Sequence, residues 1–200
     1  MNNFWDQRYS EPGFAYGREP NDFFRQEING LVPGKLLLPG EGEGRNAVYA
    51  AGRGWKVSAF DQSGVARRKA LAWAGSLGLN IEYRQMEMDR FRCNEQKFDL
   101  IALLFVHFPP SERRSLHRRF AGCLNPGGII LLEGFHKFQL QYNSGGPRRE
   151  EMLYLEKDLL EDFSELEILL CENGLKEVRE GRYHTGTSST IRFKAINSKK

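Results

Sequence analysis

The sequence predicts an α/β protein: a mostly parallel sheet with helices on both faces, closed by antiparallel pairing at one edge. Three observations carry this reading. Short apolar runs alternate with stretches of helical spacing up to about residue 164. One of those runs, Phe98 to Val106, is almost continuously apolar, as a strand buried on both faces must be. Beyond residue 164, strand-like segments follow one another with no convincing helix between them.

The first strand is expected at 35–38, ended by Pro39-Gly40. Segment 55–60 alternates and ends at Asp61, and 81–86 alternates with Ile81, Tyr83 and Gln85 on one side. After the central run at 98–106, a further apolar strand at 129–132 follows the turn Asn125-Pro126-Gly127-Gly128. Helical patterns lie between. Ser63 reads as an N-cap, with Ala66, Ala70, Trp73, Ala74 and Leu77 recurring at helical spacing. Ser111 reads as the cap of a helix whose buried stripe is Leu116, Phe120, Cys123 and Leu124, and Leu155, Leu159, Leu160 and Phe163 mark a later one. Strands separated by such helices form βαβ units with right-handed crossovers. The tail segments 166–171, 175–178 and 188–196, with Asn173-Gly174 as a hairpin turn, pair antiparallel because no crossover helix is available.

Two hundred residues, 40% hydrophobic and 12% aromatic, fill one domain of ordinary size. No repeat or linker interrupts them. The expectation is a single domain 1–200, with an aromatic N-terminal segment 1–30 and a core 31–200. The longest apolar stretch, Leu100 to Val106, falls far short of the roughly 18 residues a membrane helix needs. Mean hydropathy is −0.55, so no membrane partner is expected. Basic residues number 29 against 26 acidic, and a net +3 is too weak to argue for a nucleic-acid or anionic-membrane partner. Met1-Asn2-Asn3-Phe4-Trp5-Asp6 has no basic region followed by an apolar core, which argues against a signal peptide. Cys93, Cys123 and Cys171 make no CxxC pair, excluding a zinc ribbon or a thioredoxin-like motif. These features lead us to expect a cytoplasmic protein with reduced thiols and no metal site.

Leu36-Leu-Leu-Pro-Gly40-Glu-Gly42-Glu-Gly44-Arg-Asn46-Ala47 is the most informative stretch. Glycine permits a tight turn and close approach of a ligand, and a helix N-terminus presents N–H groups to it. Asp61 ends the next strand 17 residues after Gly44, where an acidic side chain meets a ribose diol in nucleoside-binding α/β folds. A dinucleotide fingerprint starting at Gly40 needs glycine at 45, where Arg45 stands. Glu41 and Glu43 also oppose a pyrophosphate and suit a ligand carrying cations, such as a sulfonium and an α-ammonium group. Met88-Asp89, after the third strand, offers an apolar face and a carboxylate to an adenine. Gly40, Asp61 and Asp89 thus follow three successive strands, on the edge where α/β sheets bind ligands.

With these landmarks and the Asn125-Pro-Gly-Gly128 turn, the chain resembles the class I S-adenosylmethionine (SAM)-dependent methyltransferases over nearly its whole length. It is similar in particular to the small-molecule branch that includes tellurite-resistance and thiopurine-type methyltransferases. Phe4-Trp5-Asp-Gln-Arg-Tyr9, Tyr16-Gly17 with Pro20-Asn21, Glu43-Gly-Arg-Asn-Ala47 and Gly145-Gly-Pro147 carry that likeness. The resemblance implies a Rossmann-like seven-stranded sheet with an antiparallel last strand, SAM as cofactor and S-adenosylhomocysteine (SAH) as product. It implies cofactor contacts from Gly40, Glu41 and Gly42 to the methionine moiety, with Gly44 and Asn46 beside them. Asp61 and Gln62 fall to the ribose, Met88 and Asp89 to the adenine, and Leu104, Phe105 and His107 beneath the sulfonium. One position departs from the family: Leu38 stands where an acidic residue is common, two before the first glycine. Either Glu41 takes over that contact or SAM binding is weakened.

Methyl transfer from a sulfonium is an in-line displacement, so the protein positions the nucleophile and excludes water. Whether it also needs a base depends on the acceptor's pKa. Amino-methylating DNA and RNA enzymes resemble Asp/Asn-Pro-Pro-aromatic after the fourth strand. Here Phe108 and Ser111 flank the prolines, which argues against nucleobase methylation. Candidate catalytic residues are His107, His184 and Tyr16; candidate substrate contacts are Tyr16, His136, Arg148, Tyr183 and His184. His117, Arg67-Arg68-Lys69, Arg113-Arg114 and Arg118-Arg119 read as solvated helix faces, and 135–150 as a mobile substrate loop whose Arg148-Arg149 pair suits an anionic substrate. The N-terminal aromatics Phe4, Trp5, Tyr9, Phe14, Tyr16, Phe23 and Phe24 read as a docked helix or as a lid. The leading expectation is methyl transfer to a small-molecule acceptor, a thiol or chalcogen nucleophile, by a monomer or homodimer. The alternatives are an NAD(P)-binding oxidoreductase, or a non-catalytic SAM- or nucleic-acid-binding module favoured by the pI of 8.8.

Overall fold

The computed structural model describes residues 4–93 and 96–199. Met1 to Asn3, on which the reading of the N-terminus partly rests, lie outside the described residues. Seven strands form one mixed sheet in the order β3-β2-β1-β4-β5-β7-β6, numbered along the chain. The chain divides into two compact units: Met1–Phe91 with Glu180–Tyr183, and Arg92–Arg179 with His184–Lys200.

The first unit holds α1 (Phe4–Ser10), α2 (Asp22–Ile28), β1 (Lys35–Pro39), α3 (Arg45–Ala51), β2 (Lys56–Asp61), α4 (Gly64–Ser76) and β3 (Glu82–Gln85). β1 pairs parallel with β2, and β2 with β3, as βαβ units require. Leu36, Leu37 and Leu38 are all buried, so β1 is apolar throughout rather than alternating. Ser63 caps α4 as expected, its Oγ accepting the Ala66 N–H at 3.1 Å. The buried stripe of α4 is Ala66, Ala70 and Ala74, while Leu77 is exposed. Small side chains on that stripe bring the helix very close to the turn after β1: a Cβ on Gly44 would stand 2.7 Å from that of Ala70.

The second unit holds β4 (Phe98–Leu104), α5 (Pro110–Ala121), β5 (Leu124–Phe135), α6 (Glu156–Asp162), most of β6 (Glu167–Glu180) and β7 (His184–Ile196). β4 runs parallel to β5 with Leu103 opposite Leu132; β5 runs antiparallel to β7 with Glu133 opposite Arg192. The core is built from Leu100, Ile101 and Leu103 against Ile130, Leu131 and Leu132, all fully buried. Among the described residues no helix is long and apolar enough to cross a membrane.

Several local expectations are corrected. Asn125-Pro-Gly-Gly128 lies inside β5, where a register shift between Phe98 and Leu100 absorbs it. Asn173-Gly174 sits within the continuous strand β6, and the chain reverses instead at 181–183. Gly181, at φ 67°, supplies the left-handed residue that this reversal needs. α5 starts at Pro110, whose fixed φ suits a first helical turn, so Ser111 is not the cap. His117 is fully buried rather than solvated: its Nδ1 lies 2.9 Å from Asp162 Oδ2, and its ring stacks on Phe163 at 4.7 Å. Arg113 joins the same carboxylate at 2.8 Å and reaches Asp158 at 3.2 Å, clamping α5 to α6.

The thiols are corrected too. Cys93 and Cys123 form a disulfide with a Cα–Cα distance of 5.8 Å, and Cys171 is free. The bridge closes a 30-residue separation that contains all of β4 and α5. Constraining a loop of that size in the unfolded chain stabilises the fold by about 3–4 kcal/mol. Replacing both cysteines by serine, or adding a phosphine reductant, should lower the unfolding free energy in urea by about that amount. Identical melts with and without reductant would contradict it.

Candidate functional site

In the first unit the site is the turn between β1 and α3. Gly42 and Gly44 adopt φ of 64° and 91°, and a side chain on Gly42 would collide with the Tyr9 hydroxyl, 2.7 Å from its Cβ position. Both positions therefore require glycine. Asp61, at the end of β2, grips this turn: its Oδ2 accepts the Gly42 N–H at 3.1 Å and its Oδ1 the Ser63 N–H at 2.8 Å. Tyr83 closes the other side by donating to the Gly42 carbonyl at 2.5 Å.

Glu41 does not face outward. Its Oε1 accepts the N–H groups of Asn46 and Ala47 at 2.8 and 2.7 Å, and its Oε2 accepts from the Asn46 side chain at 3.2 Å. A carboxylate of the chain itself thus occupies the N-terminus of α3. Asn46 is likewise engaged, with its Oδ1 accepting the Asn21 N–H at 2.9 Å. Arg45, where a dinucleotide fingerprint needs glycine, pairs with Glu180 at 2.9 Å.

The N-terminal segment is docked on this turn. Glu43 Oε2 accepts the Ala15 N–H at 2.6 Å, and its other oxygen pairs with Lys69. Lys69 also donates to the carbonyls of Tyr9, at 2.9 Å, and Gly13, at 2.5 Å. The solvated reading of Lys69 is therefore corrected: its ammonium gathers 9–13 onto α4. Asp6 accepts from the Ser63 hydroxyl and from the Val65 N–H, adding a second tie to the start of α4. Tyr16 accepts from Arg8 at 2.9 Å, and the Arg8 guanidinium lies 4.0 Å from the Tyr183 ring centroid. Tyr183 in turn bonds Glu11. Met88 and Asp89 lie on a short 3-10 turn after β3, Asp89 exposed, and Gln62 is exposed with its carbonyl accepting from Gln85.

In the second unit, β4 ends at Leu104 and Phe105 takes a left-handed φ of 55°, alone among described non-glycine residues. Such a backbone costs roughly 1–3 kcal/mol and persists where surroundings hold it. Here the Phe105 N–H donates to the Glu133 carbonyl at 2.6 Å. Its ring packs 4.8 Å from Phe135 and edge-on to His184 at 4.7 Å, with the Lys176 ammonium 5.6 Å from its centroid.

His107 is bonded on both ring nitrogens. Nδ1 donates to the Met152 carbonyl at 2.8 Å, and Nε2 accepts the Phe135 N–H at 3.2 Å. Burial holds its pKa down to about 4, so it stays neutral. This geometry is at odds with a catalytic role for His107, because neither nitrogen remains to move a proton. His136 is buried, its Nδ1 accepting the Phe138 N–H and its Nε2 3.5 Å from Glu156, so it fastens the chain to α6. The 135–150 stretch is stapled rather than loose: Gln139 bonds Ser144 and the Ser189 N–H, and Ser144 donates to the Thr187 carbonyl at 2.7 Å. Arg148 is exposed and bonds its own loop, at Tyr142 and Asn143. Sequence reasoning missed Lys69 and Lys176, since a lysine's reach is not encoded in periodicity. Among the described residues no group of His, Cys, Asp or Glu could hold a metal ion.

The fold is shared with SAM-dependent methyltransferases. TehB from Haemophilus influenzae superposes with a TM-score of 0.74 at 16% identity, covering 97% of this chain and 66% of that one. Magnesium protoporphyrin IX methyltransferase from Synechocystis PCC 6803, solved with bound SAM, gives 0.64 at 17% identity over 92% and 88%. Residues 37–128 match the family model described as a methyltransferase domain. A ubiquinone biosynthesis O-methyltransferase from Actinobacillus pleuropneumoniae serotype 5b (strain L20) is 26% identical over 121 residues, 58% of this chain and 52% of the relative. The chain thus spans about half the length of the curated relatives it matches. The solved structures share the fold, and the family model matches a little under half of the chain.

The buried carboxylates make stability depend on pH. Burial pushes Glu41 up to about 7 and Asp61 up to about 6, against hydrogen bonds that pull both down. A carboxyl whose pKa is higher folded than unfolded stabilises the fold while protonated. That contribution is complete below the ordinary carboxylate range and is lost as pH rises through about 6 to 7. Glu41→Gln removes the Glu41 share. Between about pH 5 and pH 8 the unfolding free energy of the unmodified chain should fall on the order of 2–3 kcal/mol more than that of the variant. Parallel pH profiles from denaturant titrations would refute this assignment.

Proposed function

We propose that the chain is a SAM-dependent methyltransferase acting on a small molecule whose acceptor atom is a thiol or chalcogen nucleophile. One observation carries the proposal: the acidic turn after β1 and the carboxylate ending β2 are built as one piece, Gly42 hydrogen-bonded to Asp61. The donor set fits the cofactor. Asp61 would supply a carboxylate for a ribose diol, Gly40 and Gly42 backbone without side chains for the methionine end, and Met88 with Asp89, on the turn after β3, contacts for the adenine. When bound, SAM supplies an electrophilic methyl group on a sulfonium.

This chain's residues would bind and orient rather than exchange protons. His107, engaged on both nitrogens, supports an acceptor already anionic near neutral pH, as a thiolate or selenide is. His184 and Tyr16 remain the candidates for touching the acceptor, His184 by its buried place against Phe105 and Phe135. The alternative of an NAD(P) enzyme is disfavoured because Glu41 holds the helix N-terminus that a pyrophosphate would need.

Calorimetry with SAM, SAH and NAD tests the reading. SAM and SAH should bind and NAD should not, and Asp61→Ala should weaken SAM at least about tenfold. Absence of heat with either adenosyl ligand would sink it. An SAH-release assay across thiols, selenite, tellurite and phenols then reports the acceptor atom; activity confined to phenols would replace the thiol reading with an oxygen one.

A further inference from the structure

β6 ends the sheet: among the described residues its only strand neighbour is β7. At 14 residues, Glu167–Glu180, it is more than twice the usual strand length of about five or six. An outermost strand offers a row of backbone N–H and C=O groups to any extended chain, and proteins ordinarily blunt it by shortness, proline or lysine. β6 contains no proline. Its one lysine, Lys176, lies 2.8 Å from the buried Glu133 and does not guard the edge. Glu172, Asn173, Gly174 and Leu175 are all exposed, and a Cβ on Gly174 would meet nothing within 4 Å. Leu169 and Leu175, 47% and 63% exposed, share one face of the strand with Cys171 and Asn173 between them.

We propose that this edge is an interface between two copies of the chain, β6 pairing antiparallel with β6 about a two-fold axis. A second copy fits because the strand is complementary to its own reverse. An axis normal to the sheet keeps each face together, so opposed positions differ by an even number. With Asn173 on the axis, the exposed Glu167 of each copy falls opposite the exposed Arg179 of the other, giving an ion pair at either end. Between them Cys171 falls opposite Leu175, and Leu169 stands diagonal to Leu175, so the exposed leucines of both copies are covered. Neighbouring registers are poorer. An axis at Glu172 sets that carboxylate against its own copy, and an axis at Gly174 sets Leu169 against Arg179 and Glu172 against a Lys176 already held by Glu133. The stretch 167–179 extends roughly 40 Å, enough for about a dozen backbone hydrogen bonds between the copies.

Sedimentation equilibrium of the full chain tests this. The unmodified protein should approach twice the 23.0 kDa chain mass, with a dissociation constant of about 10 µM or below. Leu175→Lys and Arg179→Glu, both at exposed positions, should each raise that constant at least about fivefold. Glu167→Arg combined with Arg179→Glu should restore it, because the exchanged charges pair again. Oxidation of Asn173→Cys in a Cys171→Ser background should link two copies covalently, whereas Leu169→Cys in the same background should not. A single-chain mass at about 100 µM overturns the proposal. So does a dimer indifferent to Leu175→Lys, one that the charge exchange does not restore, or a cross-link at 169 in place of 173. The mass of the unmodified protein decides the first outcome even where a variant fails to fold.

Discussion

One buried carboxylate, Glu41, holds the turn at the carboxyl end of β1 in place. α3 is seven residues long, too short to stand by itself, and its first N–H groups have no partner within the helix. Glu41 takes two of them on one oxygen and the Asn46 side chain on the other. Asn46 then accepts from the Asn21 backbone, and Asn21 caps α2 by accepting the Phe24 N–H at 2.9 Å. A single side chain inside the glycine turn thereby fixes the start of α3 and, through Asn46, the entry to α2. Leaving those buried donors without an acceptor would cost about 1–3 kcal/mol each. The same arrangement settles what the acidic character of the turn means. The Glu41 carboxyl oxygens are turned inward, onto the helix, and the position where many α/β proteins bind phosphate is already filled.

Glu43 performs a parallel task toward the N-terminal segment. With Lys69 it forms a half-buried pair that collects backbone groups of residues 9–15. The ammonium is satisfied by carbonyls as well as by the carboxylate, which is why the segment needs no apolar anchor at every turn. The aromatic side chains act over that frame: Trp5 stacks on Tyr9 at 5.7 Å, and Tyr9 in turn excludes any side chain from Gly42. Aromatic content therefore marked the right segment, and the docking joins these polar ties to an apolar cluster of Tyr9, Ala15 and Ala66.

Elements whose period reports burial were legible: β1, β2, β4, α4 and the antiparallel tail all follow from apolar spacing. What escaped was decided by partners far along the chain. Asn173-Gly174 has the composition of a hairpin turn, yet pairing with β7 carries the strand straight through it. His117 falls on what reads as the polar face of α5, and only the approach of Asp162, 45 residues on, makes that face internal. Cys93 and Cys123 resemble two unrelated thiols until β4 and α5 return the chain upon itself. In the site, Asp61 and the glycines were readable because strand ends and backbone freedom are local properties. The contacts of Lys176 were not, because Glu133 lies on β5 and Phe105 just past the end of β4.

The fate of the histidines bears on the chemistry. A histidine at the end of a central strand invites assignment as a base, and His107 stands at that place. Its two nitrogens instead fasten Met152 and Phe135 around the Phe105 bend, and burial keeps it neutral across the physiological range. Rigidity is what that bend requires, since a left-handed phenylalanine persists only where neighbours over-determine it. A displacement at a sulfonium gains most from a fixed line of approach and little from proton transfer when the nucleophile is already an anion. The second unit thus invests its buried polar groups in geometry.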